Sequence, residues 1–283
     1  MKNFGETIGL YEKAMPKMAW DSRFKVMSKL GYDCFELSVD NLRMDRLDWK
    51  PAEILELRER ADEYDIRLFS MNLSAHRHFP LGSTNVATSA GAVDILKKAV
   101  DFCYVSGIRV IQLAGYDVYT EETSTTKTKE LFIHNLAHCV EYAEQVGVML
   151  AIEPVDLDFI TKCEDAMEYV NMISSPWLKI YPDMANIAAA GHDVISDLQC
   201  AEGHMVAIHV KDGRERVVRG VPFGQGIVEF EKVFEKLNTM NFKGPYIVEM
   251  WGEDDPVYEE SVKFALEFTK KHIAVASSKA LSP

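Results

Sequence analysis

The sequence predicts an α/β protein built as a single (β/α)8 barrel, and three observations carry that prediction. Short apolar runs alternate with longer stretches of helical periodicity, the pattern of a parallel sheet with crossover helices. Eight such runs can be counted. The 283 residues match one eight-unit barrel, typically about 250 residues, better than an open doubly wound sheet.

Strands are expected in the first half at "TIGLYE" (7–12), "CFELSV" (34–39), "RLFSMNLSA" (67–75) and "RVIQLAG" (109–115). The second half supplies "VMLAIEPV" (148–155), "LKIYPDMA" (178–185), "MVAIHVKD" (205–212) and "PYIVEMW" (245–251). Amphipathic stretches between them, such as Ala90–Val105, Lys127–Val146 and Phe230–Met240, read as helices. Pro51 suits the first turn of one helix, and Gly31, Gly107 and Gly147 suit the ends of others. No linker or change of composition divides residues 1–273, which form one domain. The small, polar "AVASSKALSP" (274–283) is expected to fray.

A composition of 47% hydrophobic and 27% charged residues is that of a globular chain with a sizeable core. The net charge of −13 argues against nucleic acid as a partner, because phosphate backbones demand basic surface. An anionic substrate would need a local cluster of cations or a metal. The five cysteines are scattered, odd in number and free of any Cys-x-x-Cys spacing, as reduced thiols of the cytoplasm are. "MKNFGETIGLYEK" has no apolar leader core and no window approaches a membrane span, so a cytoplasmic protein without a membrane partner is expected.

Barrel chemistry sits at the C-terminal ends of strands. Each of the last four expected strands ends in a hard ligand: Glu153 in "AIEP", Asp183 in "IYPDMAN", His209 in "AIHVKD" and Glu249 in "IVEMW". Three carboxylates and an imidazole converging without a cation would repel, and their desolvation would be costly. One divalent metal ion removes the conflict. Three oxygens and one nitrogen suit Zn2+ or Mn2+, with Mg2+ or Co2+ as alternatives. Taken singly, Asp183 reads better as a helix cap and His209 as a satisfied core histidine; four consecutive strands ending this way read as a metal centre.

Other strand ends supply substrate contacts. His76 and Arg77 follow the third strand, where a hydroxyl or phosphate can be met, though Arg77 also suits a surface ion pair. Lys211, Arg214, Arg216 and Arg219 gather after the seventh strand, and barrels often bind phosphate between the loops after strands seven and eight. Asn186 suits a sugar hydroxyl or a turn cap, and Glu36 ends the second strand as a group supporting the ligands. His134 and His138 lie one helical turn apart on the barrel's outside, where surface packing is the simpler reading.

These segments carry a resemblance. "AIEPVD", "YPDMANI", "HVKDG" followed by "VPFGQGIVEF", and "YIVEMW" resemble the xylose-isomerase-like TIM barrel superfamily of sugar isomerases and epimerases. "LYEKAMPK", "GYDCFELSVD", "RLDW" and "MNLSAHRHFPLGS" narrow it to the L-ribulose-5-phosphate 3-epimerase (L-xylulose-5-phosphate 3-epimerase) family of ascorbate and pentulose catabolism, over nearly the whole chain. The resemblance implies the same four metal ligands, with Glu153 and Glu249 also acting as the acid–base pair. It implies substrate-orienting roles for Asn186 and Lys211, positive charge at Arg214 and Arg219, and a homodimer.

The activity so implied interconverts L-xylulose 5-phosphate and L-ribulose 5-phosphate, by removal and return of the C3 proton through a metal-stabilised enediolate. Epimerisation or isomerisation of another ketose or ketose phosphate, such as a hexulose 6-phosphate, is the nearest alternative. An endonuclease-IV-like metallohydrolase would need several metals, more histidines at the mouth and a basic face. A non-catalytic sugar-phosphate-binding protein should have lost one of the two glutamates; neither is missing.

Overall fold

The computed structural model describes residues 7–280. Eight strands alternate with helices: β1 (Ile8–Tyr11), α1 (Trp20–Leu30), β2 (Cys34–Ser38), α2 (Pro51–Glu63), β3 (Arg67–Asn72), α3 (Val86–Ser106), β4 (Val110–Ala114), α4 (Thr126–Val146) and β5 (Met149–Glu153). There follow α5 (Cys163–Ile173), β6 (Leu178–Ile180), α6 (Met184–Ala189), α7 (Val194–Cys200), β7 (Ile208–Val210), α8 (Phe230–Thr239), β8 (Tyr246–Val248) and α9 (Tyr258–Ala280). All strand pairs are parallel, and β1 pairs with both β2 and β8. The ring closes between β6 and β7 through isolated bridges alone, Ile180 with Met205 and Asp183 with His209. The protein is the (β/α)8 barrel that the sequence predicts.

Helix boundaries follow local chemistry. Pro51 occupies the first position of α2, and Glu53 turns back to accept the Lys50 amide at 2.8 Å. Asn85 caps α3 by accepting the amides of Ala87 and Thr88. Gly31, Gly107 and Gly147 end α1, α3 and α4 with φ of 92°, 84° and 72°, a left-handed conformation that glycine adopts without cost.

Strand parity positions the site. In β5, Leu150 and Ile152 join the large core between strands and helices, while Ala151 points into the barrel. Glu153 shares its side with Ala151 by the two-residue period of a strand. Ala207 and Ile247 likewise point inward, two residues before His209 and Glu249. Each apolar run therefore alternates, one side packing on the helices and the other pointing into the barrel.

Two expectations are corrected. Several strands are shorter than their apolar runs, most of all β6, expected over 178–185 and ending at Ile180, and β7, expected over 205–212 and confined to Ile208–Val210. Pro182 has no amide to give a ladder, and Asp183 leaves the strand to cap α6. The expected tail at 274–283 is instead helical as far as Ala280, because α9 buries Ile273 and Ala276 against the barrel. Residues 281–283 lie outside the described residues. No helix among the described residues is long and apolar enough to cross a membrane.

Candidate active site

Glu153, Asp183, His209 and Glu249 converge at the C-terminal mouth of the barrel, one potential ligand atom of each lying within 4.8 Å of the others. All four are buried. His209 Nδ1 lies 2.8 Å from Glu153 Oε1, 3.7 Å from Asp183 Oδ2 and 3.9 Å from Glu249 Oε2. The cap reading of Asp183 is realised. Its Oδ1 accepts the amides of Ala185 and Asn186 at 2.8 Å each, while the buried Oδ2 is met by the Lys211 ammonium at 2.6 Å. Three convergent carboxylates and an imidazole nitrogen fit a hard divalent cation.

Lys211 supplies the counter-charge already built into the chain. Its Nζ lies 2.6 Å from Asp183 Oδ2, donates to Glu249 Oε2 at 2.8 Å and to Asn186 Oδ1 at 2.9 Å. Asn186 in turn donates to the Pro154 carbonyl at 3.0 Å, tying the loop after β5 to α6.

This neighbourhood separates the two glutamates. Burial, reinforced by the charges of Glu249 and Asp183, pushes Glu153 up to about 7, although His209 partly opposes it. Burial would raise Glu249 too, but Lys211 and His209 outweigh it and hold that carboxyl at about 2. Burial would lower His209, yet Glu36, Glu249 and Glu153 raise it well above the ordinary imidazole value.

Above the cluster, the mouth is lined by Tyr11, Asn72 and Ser74, by the cations Lys13, Arg77, Lys211 and Arg219, and by Trp251. Of the four clustered ligands, only Glu153 and Glu249 also face this open cavity. Glu12 fixes the turn that carries Lys13: buried, it accepts two hydrogen bonds from Arg46 at 2.6 and 2.7 Å and the Ser38 amide at 2.9 Å. Arg219 stacks on Trp251, its guanidinium carbon 4.9 Å from the ring centre.

The xylose isomerase-like TIM barrel family model matches residues 24–272. L-ribulose-5-phosphate 3-epimerase UlaE of Escherichia coli strain SMS-3-5 / SECEC is 42% identical over 274 residues, 95% of each chain. The same enzyme of Shigella flexneri agrees equally well over the same span. This chain belongs to the L-ribulose-5-phosphate 3-epimerase family of xylose isomerase-like TIM barrels. A solved L-ribulose 3-epimerase superposes on it with a TM-score of 0.80 at 16% identity, covering 97% of both chains. A D-psicose 3-epimerase of Clostridium cellulolyticum H10, solved with D-tagatose, gives 0.80 at 16% identity, covering 94% of this chain and 99% of its own. Both likenesses bear on the fold.

Within this L-ribulose-5-phosphate 3-epimerase family member, the expected substrate residues divide. Asn186, Lys211, Arg77 and Arg219 line the mouth; His76 and Arg214 do not. His76 is corrected: the turn after β3 folds it inward, its Nε2 lies 3.2 Å from the Ala92 carbonyl of α3, and burial drops it to about 4. Arg214 is exposed, its Nε donating weakly to the Gln225 carbonyl at 3.4 Å, so it braces its own loop. Arg77 stands over Tyr116 and Tyr119 and has no carboxylate within 4.0 Å among the described residues, so the surface ion pair does not form. His134 and His138 are exposed on α4, with His138 beside Lys97. Sequence reasoning missed Lys13, in the turn after β1, Trp251, just past the end of β8, and Gln112, which donates to Glu153 from inside the barrel.

Proposed function

We propose that this chain is a metal-dependent 3-epimerase of the isomerase class that interconverts L-xylulose 5-phosphate and L-ribulose 5-phosphate. The relatives' activity supports the reading, and one observation carries it: Glu153 and Glu249 alone belong both to the four-ligand cluster and to the wall of the open cavity. Groups so placed can share a metal and reach a substrate carbon.

Glu153, Asp183, His209 and Glu249 would hold one Zn2+ or Mn2+ ion. Bound there, it supplies a Lewis acid for the oxygens at C2 and C3, where negative charge develops as the C3 proton leaves. Inversion needs proton transfer on both faces of the planar carbon. One of the two glutamates removes the proton, and the other, protonated, returns one from the opposite face; their roles exchange when the reaction runs backward. Lys211 and Asn186 orient sugar hydroxyls beside the carboxylates. The 5-phosphate meets the mouth's outer cations Lys13, Arg77 and Arg219, which fix the face that each glutamate sees. In this reading the protein is a homodimer of the cytoplasm serving pentulose-phosphate breakdown, such as that of L-ascorbate; light scattering tests the dimer.

The deciding experiment follows deuterium by NMR. L-xylulose 5-phosphate in D2O, with protein and Mn2+ or Zn2+, should gain deuterium at C3 as L-ribulose 5-phosphate forms. Glu153→Gln and Glu249→Gln should abolish net conversion. No exchange at C3 by the metal-loaded parent, or exchange that is faster with unphosphorylated ketoses, rules out this substrate.

A further inference from the structure

Below the ligand cluster the barrel interior holds a fourth carboxylate that no proton-transfer step uses. Glu36 of β2 is completely buried, and no lysine or arginine nitrogen lies within 4.0 Å of it among the described residues. A lone buried carboxylate costs several kcal/mol unless it is paired and fully hydrogen-bonded. Its partners are specific. Oε1 faces His209 Nε2 at 2.8 Å, while Oε2 accepts the hydroxyls of Tyr181 at 2.7 Å and Ser70 at 2.6 Å.

The backbone is adjusted to make this arrangement. Pairing between β2 and β3 shifts register at Phe35/Glu36, so that Leu68 faces Phe35 and Ser70, not Phe69, faces Glu36. Such a bulge re-aims side chains. Phe69 packs into the interior cluster and Ser70 reaches the interior carboxylate, two successive residues on one side of a strand. The Tyr181 ring lies 4.6 Å from that of His209, centre to centre, and sends its hydroxyl to the same oxygen as Ser70.

We propose that Glu36, held by Ser70 and Tyr181, is a positioning residue that sets the metal affinity of His209. This deepens the metal-dependent reading of the site and rests on it. By accepting the Nε2 proton, Glu36 keeps that proton away from Nδ1, the nitrogen that faces Glu153, Asp183 and Glu249, and fixes the plane of the ring. A carboxylate partner makes the imidazole a stronger donor than a carbonyl or amide acceptor would. Ser70 and Tyr181 occupy Oε2, leaving Oε1 to the histidine.

The test is binding of Mn2+ and Zn2+, without substrate, by competition against a fluorescent chelator, paired with thermal unfolding of the metal-free proteins. Glu36→Gln keeps the shape and removes the charge; it should weaken metal binding about 10- to 100-fold while the metal-free unfolding midpoint stays close to the parent's. Tyr181→Phe retains the ring and should weaken binding several-fold in the same direction. If Glu36 only stabilises the barrel, Glu36→Gln lowers the metal-free midpoint and leaves the dissociation constant as in the parent, which overturns the proposal. Should Glu36→Gln not fold, an unchanged dissociation constant in Tyr181→Phe overturns it equally. A parent that binds neither metal removes the metal reading itself, a different failure from a parent that binds and variants that bind as well.

Discussion

Lys211 is the residue on which the metal-free site depends. It brings a positive charge between two buried carboxylates, and removing one member of a buried charge pair typically costs about 3–5 kcal/mol. Lys211→Met should lower the unfolding midpoint measured in a chelator, and loading with Mn2+ should restore more stability to the variant than to the parent. Equal restoration in both proteins would contradict this. His76 makes a separate prediction about acid. Folded, it holds its proton only below about 4, because burial disfavours the charged ring; unfolded, it takes a proton near 6.5. The unfolded chain therefore binds more protons between these values, and stability falls as pH drops from 6.5 towards 4, by up to about 3 kcal/mol. His76→Gln should flatten that part of the stability–pH curve in urea titrations; a curve of unchanged slope refutes the assignment.

Among elements, the loop between β7 and α8 is held at its base by a single carboxylate. Asp212 accepts the amides of Gly213 and Gly226 at 2.9 Å and of Gly224 at 2.8 Å. A Cβ at position 226 would lie 2.1 Å from Asp212 Oδ1, so only glycine fits. Asp212→Ala strands these amides and should cost about 3 kcal/mol, read as a lower urea midpoint, with KM raised through the displaced Arg219. A KM that does not change would show that Arg219 does not meet the substrate. The spacing of Asp212 from its glycines was written in "KDG" and "VPFGQG", yet sequence alone could not say that they meet. Local signals were legible where the physics is local: Pro51, Gly31, Gly107 and Gly147 behave as their chemistry demands. His76 was misread because a short turn after β3 rotates it towards α3, and turn geometry leaves no periodic trace. Lys13 was missed because it is brought to the mouth by Glu12 and Arg46, residues 34 positions apart.

At the scale of the whole molecule, the eight-strand count and the convergence of Glu153, Asp183, His209 and Glu249 were both readable, since strand parity and strand ends are periodic properties. The inward direction of Glu36 was half readable: its strand is in the sequence, but Glu36 lies in the middle of β2 and not at its end as expected, and the bulge against β3 is not written there. The narrow seam between β6 and β7 was invisible, because both segments look as apolar as their neighbours. That seam has a consequence for how the molecule comes apart. Seven of the eight joints in the ring are strand ladders, and the eighth is two isolated bridges, one of them between Asp183 and His209. Two members of the four-residue cluster thus sit on opposite lips of the weakest joint, and a cation held between them would act as a clasp on a bracelet. Stripping it should let the lips part before anything else does, so that in a chelator the amides of Val206 and His209, which bond across the joint to Ile180 and Pro182, exchange with D2O ahead of those in β1 and β2.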